Sequence, residues 1–260
     1  MRPLVELIEV CKEFNGFKAV QKVNLQIHPG ETLSLVGESG SGKSTLGRLL
    51  MRLQTPTAGS LLFDGKLLST FPRSEDKKLR SDMQIIFQDP YASLNPRMTV
   101  EKIVCEPLNI HQRGTPQQRQ ERVKELLAWV GLGCELMKRY PHELSGGQRQ
   151  RVGIARAIAL EPRFVVCDEP VSALDANTQK QVLDLLKDLK ARLGMTYLFI
   201  SHDLDVVKNI SDRVAVMHLG EIVEIGTTQQ IFCSPKHPYT QKLLAAIPVP
   251  DPKIARSRWI

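Results

Sequence analysis

The stretch Gly37-Glu38-Ser39-Gly40-Ser41-Gly42-Lys43-Ser44 fits the phosphate-binding loop (P-loop) pattern G-x-x-x-x-G-K-S/T. It follows a predicted apolar strand over residues 32–36, and it leads into a helix that we expect to begin near Lys43. Glycines let successive backbone N–H groups curl around phosphate oxygens, and a helix N-terminus adds partial positive charge. The stretch, together with Thr45, therefore predicts a nucleotide site. In it, Lys43 reaches the β- and γ-phosphates and the Ser44 hydroxyl binds Mg²⁺.

Beyond this loop, apolar patterns predict strands that alternate with helices. The predicted strands lie at residues 23–27, 61–65, 83–87, 164–167 and 195–200, with a late β-hairpin over 213–226. The predicted helices fill residues 95–160, where one begins with a capping box at Thr115 and ends at Gly131, and residues 178–193, which Gly194 closes. This alternation predicts an α/β fold whose parallel sheet is covered by helices on both faces.

The run Phe164-Val165-Val166-Cys167-Asp168-Glu169 is an apolar strand that ends in two acids. Two acids after a strand are, taken alone, more often part of a solvated loop. With a P-loop upstream, the tip of a neighbouring strand is the place for a Mg²⁺-organising carboxylate, and Asp168 fits that role. Glu169 is the candidate general base for an attacking water.

A second glycine-rich helix start occurs at Leu144-Ser145-Gly146-Gly147-Gln148. Such a helix N-terminus is another anion-binding cradle. One chain with one nucleotide has no use for two phosphate cradles. Two copies placed head to tail do, because this cradle in each copy can then close over the ATP held by the other.

Taken in order, these motifs resemble those of the ABC ATPase family, and the resemblance covers nearly the whole chain. The motifs are the P-loop at 37–44, Gln88 in Phe87-Gln88-Asp89-Pro90, the signature at 144–148, the acids Asp168-Glu169, Ser172-Ala173-Leu174-Asp175, and Ser201-His202-Asp203.

The resemblance implies roles for four more residues. Gln88 would contact Mg²⁺ and the attacking water and signal to a transmembrane partner, and Asp175 would support a dimer interface. His202 would contact the γ-phosphate, although a lone histidine there is more often a capping or core residue. Phe14 lies where the family commonly has an aromatic residue that stacks on adenine, and a core position is about equally expected.

The fold class that the resemblance implies is a RecA-like P-loop NTPase core with an antiparallel β subdomain and an inserted α-helical subdomain. We expect the core and the antiparallel part to comprise residues 1–94 and 161–233. The helical part, with the signature, would comprise residues 95–160, and residues 234–260 would form a C-terminal tail.

Two stretches are similar to a narrower group, the ATPases of oligopeptide, dipeptide and nickel importers. They are residues 86–97 and 234–248. His237-Pro238-Tyr239 could be read as a metal or catalytic site, but a tail packed against the body is the more frequent explanation. Some relatives carry a cysteine cluster in the tail. This chain has only Cys233, directly before the tail, and so we expect no iron–sulfur centre.

Composition narrows the setting of the protein. The 260 residues carry a net charge of +7, but the basic residues are scattered and only 5% of residues are aromatic, so we expect no nucleic-acid partner. The five cysteines have no metal-ligand spacing. No apolar run approaches the roughly 18 residues that span a bilayer, and no export signal is recognisable. We therefore expect a peripheral protein on the cytoplasmic face of the plasma membrane.

The cofactors expected from these motifs are ATP and Mg²⁺, and the expected activity is ATP hydrolysis. The expected partners are a second ABC ATPase subunit, identical or paralogous, two permease subunits and, indirectly, a solute-binding protein. The main alternative is an ABC-type ATPase that works on ribosomes, DNA or cluster assembly without a permease. The signature argues against a P-loop kinase.

Overall fold

The computed structural model describes residues 2–71 and 75–246. The strands are β1 (Val5–Phe14), β2 (Phe17–Ile27), β3 (Thr32–Val36), β4 (Ala58–Phe63), β5 (Lys66–Leu67), β6 (Met83–Ile86), β7 (Phe164–Asp168), β8 (Thr196–Ile200), β9 (Arg213–His218) and β10 (Glu221–Thr227). The helices are α1 (Lys43–Leu50), α2 (Asp76–Asp82), α3 (Pro90–Ser93), α4 (Val100–Ile110), α5 (Pro116–Trp129), α6 (Gly146–Ile158), α7 (Ala176–Leu193), α8 (Leu204–Ile210), α9 (Thr228–Cys233) and α10 (Pro238–Ala245).

A six-stranded sheet in the order β10-β9-β3-β8-β7-β6 forms the centre of the fold. Its strands run parallel from β6 to β9, and only β10 is antiparallel, as the partner of β9 in the predicted hairpin. Leu35 on β3 and Asp168 on β7 both pair with Ile200 on β8, so the three strands end at the same level. The carboxyl ends of these strands therefore meet at one edge, where α/β sheets bind their ligands.

Both faces of the sheet are buried at the central strands β3, β7 and β8, as their apolar sequences predict. On β7, Phe164 and Val166 pack with α1 and the N-terminal strands, whereas Val165 and Cys167 pack with α4 to α7. Successive side chains of a strand point to opposite faces, so one short strand supports two separate layers of core. A Phe164→Ala change would remove a fully buried ring at a cost of about 3–5 kcal/mol.

The first strands form a separate antiparallel sheet in the order β2-β1-β4-β5. Strand β2 begins at Phe17, six residues before the alternating pattern that predicted it. The difference arises at Asn15-Gly16, where φ angles of 46° and 84° make a tight turn that pairs Phe14 with Phe17. Asn-Gly is the preferred sequence for such a two-residue hairpin turn.

Helices α4, α5 and α6 pack on one another with a shared apolar core that includes Val104, Leu127 and Ile154. The predicted capping box is present, since the Thr115 side chain accepts from the Gln118 amide and Gln118 accepts from the Thr115 amide. Helical structure starts earlier than the predicted residue 95, because α3 begins at Pro90 beneath the Asp89 cap.

Helix α7 begins at Ala176, two residues before the predicted start, because the Asp175 carboxylate caps it by accepting from the Thr178 amide. It ends as predicted at Gly194, which has a left-handed φ of 64°. In the tail, α9 and α10 pack against β9 and β10, and the resemblance noted for residues 247–248 lies outside the described residues. Within residues 2–71 and 75–246, no helix combines the length and the hydrophobicity of a transmembrane span.

Candidate active site

Two glycines of the loop between β3 and α1 have no room for a side chain. A Cβ atom on Gly37 would lie 2.1 Å from the Met217 carbonyl oxygen, and one on Gly42 would lie 2.2 Å from the Ala19 oxygen. Gly42 also has a left-handed φ of 104° where it precedes α1, and no side chain caps that helix. The backbone N–H groups of the first turn of α1 are therefore not occupied by a side-chain cap, as an anion site requires.

Lys43 is 95% buried, and its ammonium group is held by the loop that it belongs to. Its Nζ donates to the carbonyl oxygens of Gly37 at 2.8 Å and Glu38 at 2.7 Å. Burial lowers the pKa of Lys43, although the negative charges of Glu169 and Asp168 oppose this shift. The site thus contains a buried cation, the Lys43 ammonium group. Backbone carbonyl oxygens accept its hydrogen bonds, and phosphate oxygens can replace them.

Asp168 lies beside this cation at the end of β7. Its Oδ1 accepts from the Ser44 hydroxyl at 3.0 Å, and the residue is only 6% exposed. Burial raises the pKa of Asp168, since a buried carboxylate loses hydration. A hydroxyl and a carboxylate are hard oxygen ligands, the type that Mg²⁺ binds together with phosphates and water. The pair fits Mg²⁺, which would compensate the buried charge.

Glu169 joins two of the other predicted residues. Its Oε2 accepts from Gln88 Nε2 at 2.9 Å, and its Oε1 lies 3.2 Å from His202 Nδ1. The backbone at Glu169 has a φ of 48°, a left-handed conformation that is uncommon for a side chain of this kind and that clusters at functional sites. The turn after β7 therefore directs the carboxylate towards both neighbours.

One cavity of about 590 Å³ brings most of the predicted residues together. It is lined by Phe14, Phe17, Ala19, Ser39, Gly40, Gly42, Lys43, Ser44, Thr45, Gln88, Glu169 and His202. Gly37, Glu38 and Ser41 do not line it, but each of the three accepts a hydrogen bond from Lys43 Nζ. Asp168 reaches the cavity only through Ser44.

The aromatic side of this cavity contains a residue that the sequence analysis missed. Phe14 is 39% exposed rather than part of the core, and Phe17 beside it is 64% exposed. The two rings are a cross-strand pair at the end of the β1–β2 hairpin. The Asn15-Gly16 turn was the signal that would have found Phe17, because it fixes which residues face each other.

The signature segment lies elsewhere on the chain. None of residues 144–148 lines the cavity. Ser145 is exposed, and it caps α6 in a capping box with Gln148. A Cβ atom on Gly147 would lie 2.5 Å from the Thr178 side chain, so the segment packs beside the N-terminus of α7, where Asp175 is the cap. The structure therefore separates Leu144, Ser145, Gly146, Gly147, Gln148 and Asp175 from the cavity of their own chain.

A P-loop with a buried lysine, set beside a strand-end acid pair at the edge of a parallel sheet, defines the protein as a P-loop nucleoside triphosphatase. Comparison with known families is more specific. A family model described as ABC transporter matches residues 20–172, and one described as the C-terminal region of oligopeptide/dipeptide transporters matches residues 223–259. The chain belongs to the ABC transporter family, and it is an ATP-binding chain that hydrolyses ATP.

Curated relatives are similar over nearly the whole chain. The oligopeptide transport ATP-binding protein OppF of Bacillus subtilis is 54% identical over 245 residues, which are 93% of this chain and 80% of that protein. A putative peptide import ATP-binding protein of Brucella ovis is also 54% identical, over 99% of this chain and 83% of its own length.

Solved structures confirm the fold class. The cassette MJ0796, in a dimeric post-hydrolysis state bound to ADP and Pi, is 33% identical with a TM-score of 0.77, over 86% of this chain and 98% of that one. The cbiO1 chain of Clostridium perfringens, part of the ABC transporter complex cbiONQ, is 28% identical with a TM-score of 0.83 over the full length of both chains.

Proposed function

We propose that this chain is the ATPase subunit of a peptide importer, in which it pairs with a second ATPase subunit, identical or paralogous, and with two permeases. The names of the relatives favour peptides over nickel as the transported solute. The match of residues 223–259 to an oligopeptide/dipeptide transporter region supports the same assignment.

One observation carries the proposed pairing: the cavity holds the P-loop, an acid, Gln88 and His202, but not the signature segment. Ser145 and the glycines after it open an exposed helix N-terminus with the character of a phosphate cradle. A second subunit, placed head to tail, supplies that cradle to the ATP in this cavity. The dimeric state of the similar cassette with ADP and Pi supports this arrangement.

In the proposed reaction a water molecule attacks the γ-phosphate in line. Glu169 orients this water and accepts its proton, and Gln88 fixes the Glu169 carboxylate through the 2.9 Å hydrogen bond. Lys43, the amides of residues 39–45 and His202 stabilise the charge that develops on the phosphate oxygens. Phe14 stacks on the adenine ring.

Ser44, Asp168 and the free oxygen of the Gln88 amide are the residues that we propose would hold Mg²⁺. The ion would neutralise charge on the β- and γ-phosphates. Ser44 can keep the hydrogen bond that it donates to Asp168, because the lone pairs of its hydroxyl oxygen would remain available to the ion.

The proposed location of the chain is the cytoplasmic face of the plasma membrane, where it binds peripherally to the permeases. A solute-binding protein on the other side delivers the peptide, so this chain never touches it. Gln88 connects the two tasks, because it bonds to Glu169 in the cavity and is followed directly by α3 and the helices behind it. A change at the phosphate can therefore move this helical part relative to the sheet.

The test reconstitutes the chain with its permeases and partner ATPase in vesicles, with peptide-loaded binding protein on the outer side. We expect ATP-dependent peptide uptake that Lys43→Ala abolishes, because the β- and γ-phosphates lose their main cationic partner. Lys208→Ala, an exposed lysine on α8, is the matched control and should transport as the wild type does.

The purified chain alone should hydrolyse ATP at a rate that peptide does not change. Peptide binding to the isolated chain with stimulated hydrolysis would contradict the division of labour. ATP hydrolysis that never responds to permeases and loaded binding protein would instead favour an ABC-type ATPase without a permease.

A further inference from the structure

A tyrosine from the tail reaches the back of the P-loop. Tyr239 lies in the first turn of α10, and the residue is only 8% exposed. Its hydroxyl accepts a hydrogen bond from the backbone N–H of Glu38 at 3.1 Å, across 201 positions of the chain. Neither Tyr239 nor Glu38 lines the nucleotide cavity, so the contact lies outside the cavity surface.

The tyrosine is held in place by its own neighbours. Its ring stacks on His218, with 3.8 Å between centroids, and its backbone N–H donates to His237 Nδ1 at 3.2 Å. The amides of Lys236 and His237 in turn donate to the Glu224 carboxylate at 2.9 and 3.0 Å. The hydroxyl of Tyr239 is therefore a fixed acceptor and not a mobile one.

The Gly37–Glu38 peptide group is bonded at both of its ends. The Glu38 N–H donates to Tyr239, and the Gly37 carbonyl oxygen of the same peptide accepts from Lys43 Nζ at 2.8 Å. Hydrogen bonds that share one peptide group polarise and align each other. The planar Gly37–Glu38 peptide group thus links the position of the Lys43 ammonium group to the tail.

We propose that Tyr239 is a positioning residue, which holds the entrance of the P-loop and the Lys43 ammonium in the binding conformation before ATP arrives. The proposal rests on the assignment of residues 37–45 as the ATP site. A loop that is ordered in advance loses less conformational freedom when the ligand binds, so the effect belongs to ATP affinity. The tail thereby contributes to nucleotide binding without touching the nucleotide.

The test compares Tyr239→Phe with the wild type. The change removes the hydroxyl and keeps the ring on His218. We expect the KM for ATP and the Kd for ATP to rise roughly twofold to tenfold, which is the effect of one hydrogen bond, while kcat changes by less than about twofold. Tyr197→Phe is the matched control, because its buried hydroxyl donates to the Leu186 carbonyl oxygen, away from the loop. It should lower the melting temperature and leave the KM unchanged.

An unchanged KM in Tyr239→Phe overturns the proposal, whether or not the melting temperature falls. Lys43→Ala separates this failure from a failure of the ATP-site assignment. If Lys43→Ala also binds ATP normally, the assignment is wrong; if only Tyr239→Phe does, the positioning role is wrong.

Amide exchange in the wild-type chain provides a second test that needs no folded variant. Without nucleotide, the Glu38 amide proton should exchange more slowly than those of Ser39 and Gly40, for which the described residues show no acceptor. Equal exchange at the three amides would also overturn the proposal.

Discussion

At the scale of single residues, the buried carboxyl group of Asp168 makes the free energy of unfolding depend on pH. Burial raises the pKa of this carboxyl above the ordinary value near 4, so the folded protein resists its ionisation. As pH rises above the pKa of the unfolded chain, the unfolded state releases this proton first. The free energy of unfolding therefore falls with pH until the folded pKa is passed.

An Asp168→Asn variant removes this charge and keeps the shape and the acceptor for Ser44. We expect its nucleotide-free form to melt at a higher temperature than the wild type at pH 7, with a difference that shrinks as the pH approaches 4. Mg²⁺-dependent hydrolysis should be lost. Asp188→Asn, on the exposed face of α7, should change neither property. A variant less stable than the wild type at pH 7 would contradict this account.

A change at Glu169, the proposed general base, tests whether ATP binding and ATP hydrolysis can be separated. A Glu169→Gln side chain keeps the size and the link to Gln88 but is a far weaker base. Hydrolysis should fall by roughly 10²–10⁴-fold, the range for loss of a general base, while ATP still binds. Phosphate release and ATP affinity measured on the same sample test this, and turnover within about threefold of the wild type would exclude Glu169 as the base.

At the scale of elements, the ends of strands and helices were largely predictable from local chemistry. The glycines at 131 and 194, the capping box at Thr115 and the loop before α1 each mark a boundary by a backbone requirement that few residues meet. The missed starts of α7 and β2 followed the same chemistry in Asp175 and Asn15-Gly16. These signals were present in the local sequence, but the predicted starts were placed where the hydrophobic periodicity begins.

Contacts between distant elements were not predictable in this way. Parallel strands whose ends share an edge predict that Asp168, Gln88 and His202 approach the P-loop, but not which atoms pair. The Glu169 hydrogen bond to Gln88 depends on the left-handed turn at residue 169, and the Tyr239 bond to Glu38 depends on how α10 packs. No local pattern encodes either of them.

Helix α6 provides a test of the shared site. In Ser145→Arg, bulk at the opening of the helix should block closure over the partner's ATP, so hydrolysis by the assembled ATPase pair should fail. Affinity of the isolated chain for ATP should stay within about threefold, since Ser145 does not line its own cavity. Thr115→Arg, which breaks the equivalent capping box of α5, is the matched control and should retain hydrolysis. Loss of monomer ATP affinity in Ser145→Arg would place the serine in its own chain's site.

At the scale of the whole molecule, the proposed pairing makes the cavity and the signature segment parts of two different sites. On this proposal the chain would reach full activity only in pairs. With Mg-ATP, the Glu169→Gln variant, alone or mixed with its partner ATPase, should accumulate as a dimer, because nothing consumes the nucleotide that joins the subunits. Size-exclusion chromatography with light scattering would detect this, and a monomer at saturating Mg-ATP would contradict the pairing.

The hairpin that carries Phe14 and Phe17 has a consequence for nucleotide specificity. Its two exposed rings and Ala19 offer flat apolar surface to a base, and every purine has a face to lay against it. A pocket built to hydrogen-bond one base can reject another by 10⁴-fold or more, whereas an apolar one achieves about 10²-fold at most. GTP should therefore replace ATP with a kcat/KM no more than about a hundredfold lower. The nucleotide concentrations of the cell, more than this protein, would then determine which nucleoside triphosphate is hydrolysed.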